Sequence, residues 1–580
     1  MVHASRGVSL GMHSIILCTF AYKFISNLHY LDEIASNSPS KITRHVMEDT
    51  FDLPTQPKRQ KAQSLEDILF SLGPITDVSY DPFQPEPKQR ARALLPSSFP
   101  QKPHPFDYFS LFFTQDLFQT ITTNTNRYAN IQRLQVAQER AREWTDLLVE
   151  ELYVFLGTII YMGVHEEPQI EMYWNTDFNK GPLHSISSHI SLCRFEQIKR
   201  YYHISCFESD ERNGYYLPSN KVWWYKVEPL ASSIQASSQR YYSPSSEVSI
   251  DELMVRCFGR YVSLLSSSYY LTNYLRSSHT YKMPKKPIKQ GYKIYGIADH
   301  GYIYNWIWSS REKGLQDRVL HPNLTNTGCL VRNLALSLPR RYLTIYMDNY
   351  FTSIPLFSEL RACKFGAVGT TRPHKEFPEG LTELKNRFST KLAWNTLLAA
   401  VVQDVLCLAW QDNNIVLALS NIHTVNKAED FRTKERRRPA KTSTNGRIIR
   451  CVFSDSPVKE LQIPCFIDDY NQYMGGVDLA NQFREPYETY KPTFRTWWPL
   501  FYWLIDVACI NAYKLYQLHT IDERPLTHLQ FRIELYCKLL GYSERAKLQS
   551  LRVGLGGKRV FNPDLQYLHH WGKRPKSTCV

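Results

Sequence analysis

Three acidic residues stand where an apolar run ends: Asp251 in VSIDE, Asp348 in TIYMDNYF and Asp478 in YMGGVDLANQ. An aspartate that closes a buried strand, or opens a helix behind a Gly-Gly turn, can project its carboxylate into a shared pocket. Oxygen ligands gathered in this way suit hard cations such as Mg²⁺. Phosphodiester chemistry uses two such ions roughly 3.5 to 4 Å apart, one at the attacking and one at the leaving oxygen. Taken singly, each aspartate is more often a strand-end or cap residue than a ligand. Their spacing along the chain fits many folds, so the surrounding elements must decide.

Around these residues the apolar period is close to two. EVSIDELMV, YKIYGIADHGYIYNWIW and YLTIYMDNYF predict strands, followed by the helix-like SIPLFSELRAC and a further strand, KFGAVGTTR. A mixed α/β core follows from that order. Between 382 and 456, VLCLAWQDNNIVLALSNIH reads as a hairpin turning at Asp412, Asn413 and Asn414. From Phe106 onward, FDYFSLFFTQDLFQTITTNTNRYA, WTDLLVEELYVFLGTIIYMGV and SLCRFEQIKRYYHISCF have helical spacing, with Trp223, Trp224 and Tyr225 as candidate core. WWPLFYWLIDVACINAYKLY, interrupted by Asp506 and Asn511, suits a buried helix better than a membrane span. Residues 36–99 are rich in Ser, Pro and charge and predict a mostly disordered leader holding one short helix, SLEDILFSLG.

Length and composition bound the function. A chain of 580 residues exceeds one compact core, which excludes a small binding module and predicts several domains or a core with large insertions. Lys and Arg outnumber Asp and Glu, 69 to 55, and the resulting +14 favours a polyanion partner. The basic runs QPKRQK and RTKERRRPAK fit a solvated loop, a nuclear-localisation signal or a DNA-backbone contact. Twelve cysteines without a CxxC pair give neither a zinc ribbon nor a disulfide framework, and a reduced intracellular protein is expected. No membrane partner is expected. Residues 7–25 resemble a signal peptide, but His13 and Lys23 break the apolar run, and an N-terminal extension is the better reading.

SIDELMV, MPKKPIKQGYKIYGIAD, MDNYFTSIPLFSEL with KFGAVGTTR, DYNQYMGGVDLANQ and RTWWPLFYWLIDVACINAYKLY occur in one order over roughly 106–542. This series resembles piggyBac-like transposases and the transposase-derived proteins of that family. The resemblance implies a ribonuclease H-like mixed-sheet α/β core with a DDE site, in which Asp251, Asp348 and Asp478 hold catalytic Mg²⁺, with Mn²⁺ as substitute. It places the core at 244–372 and 457–487, an insertion domain at 373–456, and a helical dimerisation and DNA-binding domain split between 100–243 and 488–550. It further implies double-stranded DNA as partner, a homodimer, nuclear location and cut-and-paste transposition.

The sequence departs from the family pattern at three places. Asn481 stands where the family often has a further aspartate in GGVDxxD. Residues 261–279 intervene before the TYKMPKKP block. Beyond the basic run from 551, HHWGKRPKSTCV offers no complete zinc site where the family commonly has a Cys- and His-rich domain. These departures make a catalytically impaired, domesticated or decaying DNA-binding descendant the alternative function. An unrelated ribonuclease H-like nuclease would share the carboxylates but not the linked GGVD and WW blocks.

Overall fold

The computed structural model describes residues 64–135, 143–206, 222–257, 277–315, 320–388, 392–493, 495–520, 524–546 and 548. Most of the 261–279 segment and the basic tail lie outside these. The chain divides into a large unit, Leu65–Tyr281 with Gly291 onward, and a small one whose described residues are Ser64 and Lys282–Gln290. Within the small unit, Met283 N donates to Lys289 O at 2.8 Å.

The composition of residues 65–99 predicts disorder, yet they are an ordered part of the large unit. Helix α1 (Leu65–Leu72) buries Ile68 and sets Leu72 beside Gly380. The following extended chain satisfies its backbone at three separate places: Phe83 N donates to Asn421 O, Glu86 N to Tyr342 O, and Gln89 exchanges bonds with Ser246. Its prolines suit an extended segment, since each has a fixed φ and no N–H to leave unpaired. Strand β1 (Arg92–Ala93) ends the segment.

The helical texture after Phe106 becomes α2 (Pro105–Ser110), α3 (Gln115–Gln135), α4 (Val149–Val164), α5 (Leu192–Tyr201) and α6 (Leu230–Arg240). At the start of α4, Glu151 accepts from Leu148 N and is held by both Arg194 Nε (2.9 Å) and Nη2 (2.8 Å), so one carboxylate caps α4 and docks α5.

Next come β2 (Tyr242–Ser243), which pairs with β1, then β3 (Glu247–Arg256), β4 (Tyr281–Lys282), β5 (Gln290–Asp299), β6 (Tyr302–Ser310) and β7 (Gly314–Leu315). Helix α7 (Asn326–Leu336) leads to β8 (Thr344–Met347), and α8 (Ile354–Ala362) to β9 (Gly366–Thr370). Helix α9 (Glu379–Arg387) precedes β10 (Leu397–Val402), β11 (Val405–Gln411) and β12 (Ile415–Ser420). The main sheet runs β10-β11-β12-β9-β8-β3-β5-β6-β7. Strands β3, β8 and β9 are parallel and their neighbours antiparallel, giving the mixed-sheet α/β core that the sequence predicts. All four residues of β8 are buried, as a central parallel strand requires.

The hairpin turning at Asp412–Asn414 forms β11 and β12, but these strands extend the core sheet instead of folding into a separate body. The reason is edge pairing: β9 would otherwise present an open, apolar sheet edge, and β12 covers it. Strand β13 (Phe431–Arg437) and, after α10 (Gly446–Phe453), β14 (Val458–Pro464) form a separate two-stranded ribbon. The last helices among the described residues are α11 (Cys465–Tyr473), α12 (Gly476–Arg484), α13 (Trp498–His519) and α14 (His528–Leu540). Helix α13 is the buried helix predicted from WWPLFYWLIDVACINAYKLY, and Asn511 within it bonds Ser238 Oγ and both backbone groups of Ile303. Helix α4 approaches α14 closely enough that a Cβ on Gly157 would lie 2.8 Å from Leu539 Cβ. Among the described residues, no helix is long and apolar enough to cross a membrane.

Candidate active site

Asp251 lies within β3, and Asp348 is the first residue beyond β8. The two strands are parallel, with Ile250 opposite Met347, so the next step of the register sets Asp251 beside Asp348, one strand spacing away. The two positions are therefore made neighbours by sheet register, across 97 positions of sequence that no local pattern connects. Asp251 is 2% exposed and its Oδ1 accepts from Glu252 N at 2.7 Å. Asp348 Oδ1 accepts from Tyr350 N at 2.8 Å, which fixes the loop leaving β8.

That loop is held from a second side. Thr352 Oγ1 donates to Thr370 O at 2.6 Å, and Gly369 has no room for a side chain, because a Cβ would meet Thr352 Cγ2 at 2.4 Å. Asp348 thus leaves the sheet on a short, pinned turn. Arg372, just past β9, donates through Nε to Asn349 Oδ1 at 3.1 Å and is itself exposed.

Asp478 stands in the first turn of α12, where the helix dipole favours a carboxylate. The helix lies on the Asp251 side of the sheet. Ser249 and Asp251 share a face by the two-residue alternation of a strand, and Gly476 packs onto Ser249. A Cβ at Gly476 would lie 2.6 Å from Ser249 Oγ and 2.9 Å from Ala298 O, so only glycine permits this approach. The far end of α12 is held by Arg484, buried, which donates to Glu488 Oε1 (2.8 Å) and to Met254 O of β3 (3.4 Å). Asn481 is three positions after Asp478, on the same helix face.

Asp251 and Asp348 present hard oxygen donors side by side, the chemistry that Mg²⁺ and Mn²⁺ take. Among the described residues, no group of three His, Cys, Asp or Glu is gathered closely enough to hold a metal ion as the chain stands. The structure thus sets Asp251 and Asp348 at neighbouring register positions, with Asp478 on the helix that docks against β3.

Residues 104–513 match the family described as Transposase IS4. Piggybac transposable element-derived protein 3 of Homo sapiens is 25% identical over 452 residues, covering 75% of this chain and 65% of that protein. The chain belongs to the piggyBac-type transposase family. Piggybac transposable element-derived protein 2 of Homo sapiens is likewise 25% identical, over 446 residues, 76% of this chain and 66% of its own length. The chain spans just under two thirds of the length of these curated relatives. The fold matches a solved piggyBac transposase, a synaptic complex with hairpin DNA, at a TM-score of 0.61 and 21% identity, covering 80% of this chain and 87% of that one. The piggyBac-type resemblance read from the linked motifs is therefore correct at the level of family and fold.

Several residues at the site are given no role by the sequence reading. Gly369 and Arg372 lie in KFGAVGTTR, which reads only as a strand, and Arg484 lies in a stretch without periodic signal. Tyr350 reads as part of the apolar run MDNYF. A signal was present only for Gly476, through the Gly-Gly pair ahead of Asp478.

Proposed function

We propose that this chain is a metal-dependent DNA transposase that cuts and rejoins phosphodiesters at the site of Asp251, Asp348 and Asp478. The observation that carries the proposal is the register of β3 with β8, which sets two aspartates side by side on a rigid sheet with a third on the helix packed against it. These three residues would hold the Mg²⁺ ions, with Mn²⁺ as substitute. When bound, such ions supply charge neutralisation and Lewis acidity at phosphorus.

The chain's own residues do the rest. The β3–β8 pairing fixes the spacing of two carboxylates, the Tyr350 N–H orients Asp348, and the Gly476 contact sets how near Asp478 stands. Arg372 offers an exposed guanidinium for a phosphate oxygen beside them. Nicking, attack of the freed 3′ hydroxyl on the opposite strand to give a hairpin, reopening and target joining are each in-line displacements at phosphorus, so one site serves them all. The partner is double-stranded DNA, transposon end and target, bound by a homodimer in the nucleus. Residues 100–243 and 488–550 supply the dimerisation and DNA-binding parts. Lys and Arg of the 373–456 segment add phosphate contacts that position DNA without reading its sequence.

A second reading, a DNA-binding descendant that does no strand chemistry, draws on Asn481, an amide where the family pattern often carries a carboxylate. The two separate in one assay. Purified protein is incubated with the element's flanking terminal DNA and Mg²⁺ or Mn²⁺, with Asp348→Ala as control. Hairpin and joined products that vanish in the control support the transposase; salt-sensitive DNA binding without any cleavage establishes the descendant.

A further inference from the structure

We propose that Tyr350 is a stacking platform for an unpaired nucleobase next to the phosphodiester that is cut; this rests on the reading of Asp251 and Asp348 given above. Tyr350 follows Asp348 by two positions and is 51% exposed, yet several contacts hold it. Its backbone N–H is bound to Asp348 Oδ1, its hydroxyl lies 3.2 Å from that of Tyr295, and the two rings are nearly parallel, 7° apart in plane with centroids at 6.2 Å. Phe351 meets it edge-on at 5.1 Å.

The support beneath it is ionic. Lys293 Nζ sits 4.8 Å from the Tyr350 ring centroid and 5.0 Å from that of Tyr295, and is itself paired with Glu252 Oε2 at 2.6 Å. Lys293 and Glu252 side chains are only 9% and 13% exposed. Withdrawing a lysine and a glutamate from water is unfavourable unless their geometry is tightly satisfied, and here that geometry fixes the pose of one exposed ring. A tyrosine that merely filled surface would need no such base. A rigid, half-exposed aromatic offers a π-face to any nucleobase, and base–aromatic stacking is tolerant of sequence.

Placement determines which base this is. Asp251 lies opposite Gly296, and Glu252 opposite Tyr295, so the carboxylate and the tyrosine pair occupy opposite faces of the sheet. Strand β8 ends at Met347 beside β3, and Tyr350 in the loop that follows meets Tyr295 of β5. A base whose backbone lies at Asp251 and Asp348 reaches the ring only after leaving the duplex stack, so the ligand is an unpaired base.

The test uses the full chain in EDTA, so that no strand is cut. The probes are a duplex carrying one unpaired 2-aminopurine at the expected break and the same duplex fully paired. The wild type is expected to bind the unpaired probe more tightly and to quench its fluorescence. Tyr350→Ala and Tyr350→Leu should lose about 5- to 150-fold of that preference, while Tyr350→Phe keeps it. Asp348→Asn, which preserves the acceptor for Tyr350 N–H, should also keep it. A wild type without preference, or an Ala or Leu variant that retains preference and quenching, overturns the proposal. Because the readout needs no cleavage, a protein that quenches but never cuts sinks the catalytic reading alone, and one that cuts without preferring the unpaired base sinks this one alone.

Discussion

Substituting Gly476 by alanine probes how the third carboxylate is placed. The new methyl would sit 2.6 Å from Ser249 Oγ and 2.9 Å from Ala298 O, about 0.8 and about 0.5 Å inside the 3.4 Å where ordinary contact begins. The carbonyl belongs to β5 in the middle of the sheet and cannot yield, so α12 must lift away and carry Asp478 with it. Overpacking of this kind costs about 1 to 3 kcal/mol of stability, which a chain of this size survives. Misplacing Asp478, a proposed metal ligand, by about 1 Å is more severe, and a loss of up to about 100-fold in cleavage rate is expected. The assay is single-turnover cleavage of labelled terminal DNA in Mn²⁺, with denaturant unfolding to confirm that the variant is folded. Ser249 sharpens the test, because its buried hydroxyl has no hydrogen-bond partner and Ser249→Ala should be nearly silent. Gly476→Ala combined with Ser249→Ala removes the shorter of the two clashes and should recover part of the rate. A folded Gly476→Ala that cleaves at the wild-type rate would refute the placement of Asp478 by this contact.

Asn481→Asp adds a carboxylate one helical turn beyond Asp478, and tighter Mn²⁺ binding is expected by calorimetric titration; unchanged affinity would show that this position takes no part in the site. Burial pushes the Asp506 carboxyl up to about 7 against the opposing pull of Arg532 and Arg484. In the unfolded chain it titrates near an ordinary ~3.9. Between these values the folded protein holds the proton and the unfolded chain does not, so this group makes stability fall as pH rises from about 4 to about 7. Asp506→Asn should flatten that fall when unfolding free energies are compared at pH 5 and pH 7.5, and an identical slope in both proteins would exclude Asp506 as its source.

The strands bearing Asp251 and Asp348 were legible from their near two-residue apolar period, although Asp251 stands inside β3 and only Asp348 follows a strand end, and α13 was legible because its apolar run is interrupted only sparsely by polar residues such as Asp506 and Asn511. Adjacency of the two aspartates was not legible from pattern, since register between β3 and β8 is set by sheet assembly and leaves no local trace. The linked motifs supplied what pattern could not. Composition misjudged residues 64–99, because a proline-rich extended chain can order itself on another element's backbone without a core of its own. The resemblance places 373–456 in an insertion domain, and within it the 397–420 strands extend the main sheet from the edge of β9. Tyr350 was hidden for a different reason: an aromatic in an apolar run reads as core, and only its 51% exposure shows otherwise.

The contact of α4 with α14 has a consequence for how the chain reaches this state. Helix α4 is complete by residue 164, but the surface that covers it arrives with residues 528–540. During synthesis the apolar side of α4 must therefore wait through the whole main sheet before its partner emerges from the ribosome. Such late, long-range closure is slow, and it leaves a hydrophobic helix open to chaperones and to wrong partners in the meantime. It also means that a fragment stopping before residue 528 retains the aspartates yet carries an uncovered α4, so such a truncation should be recovered mainly as aggregate.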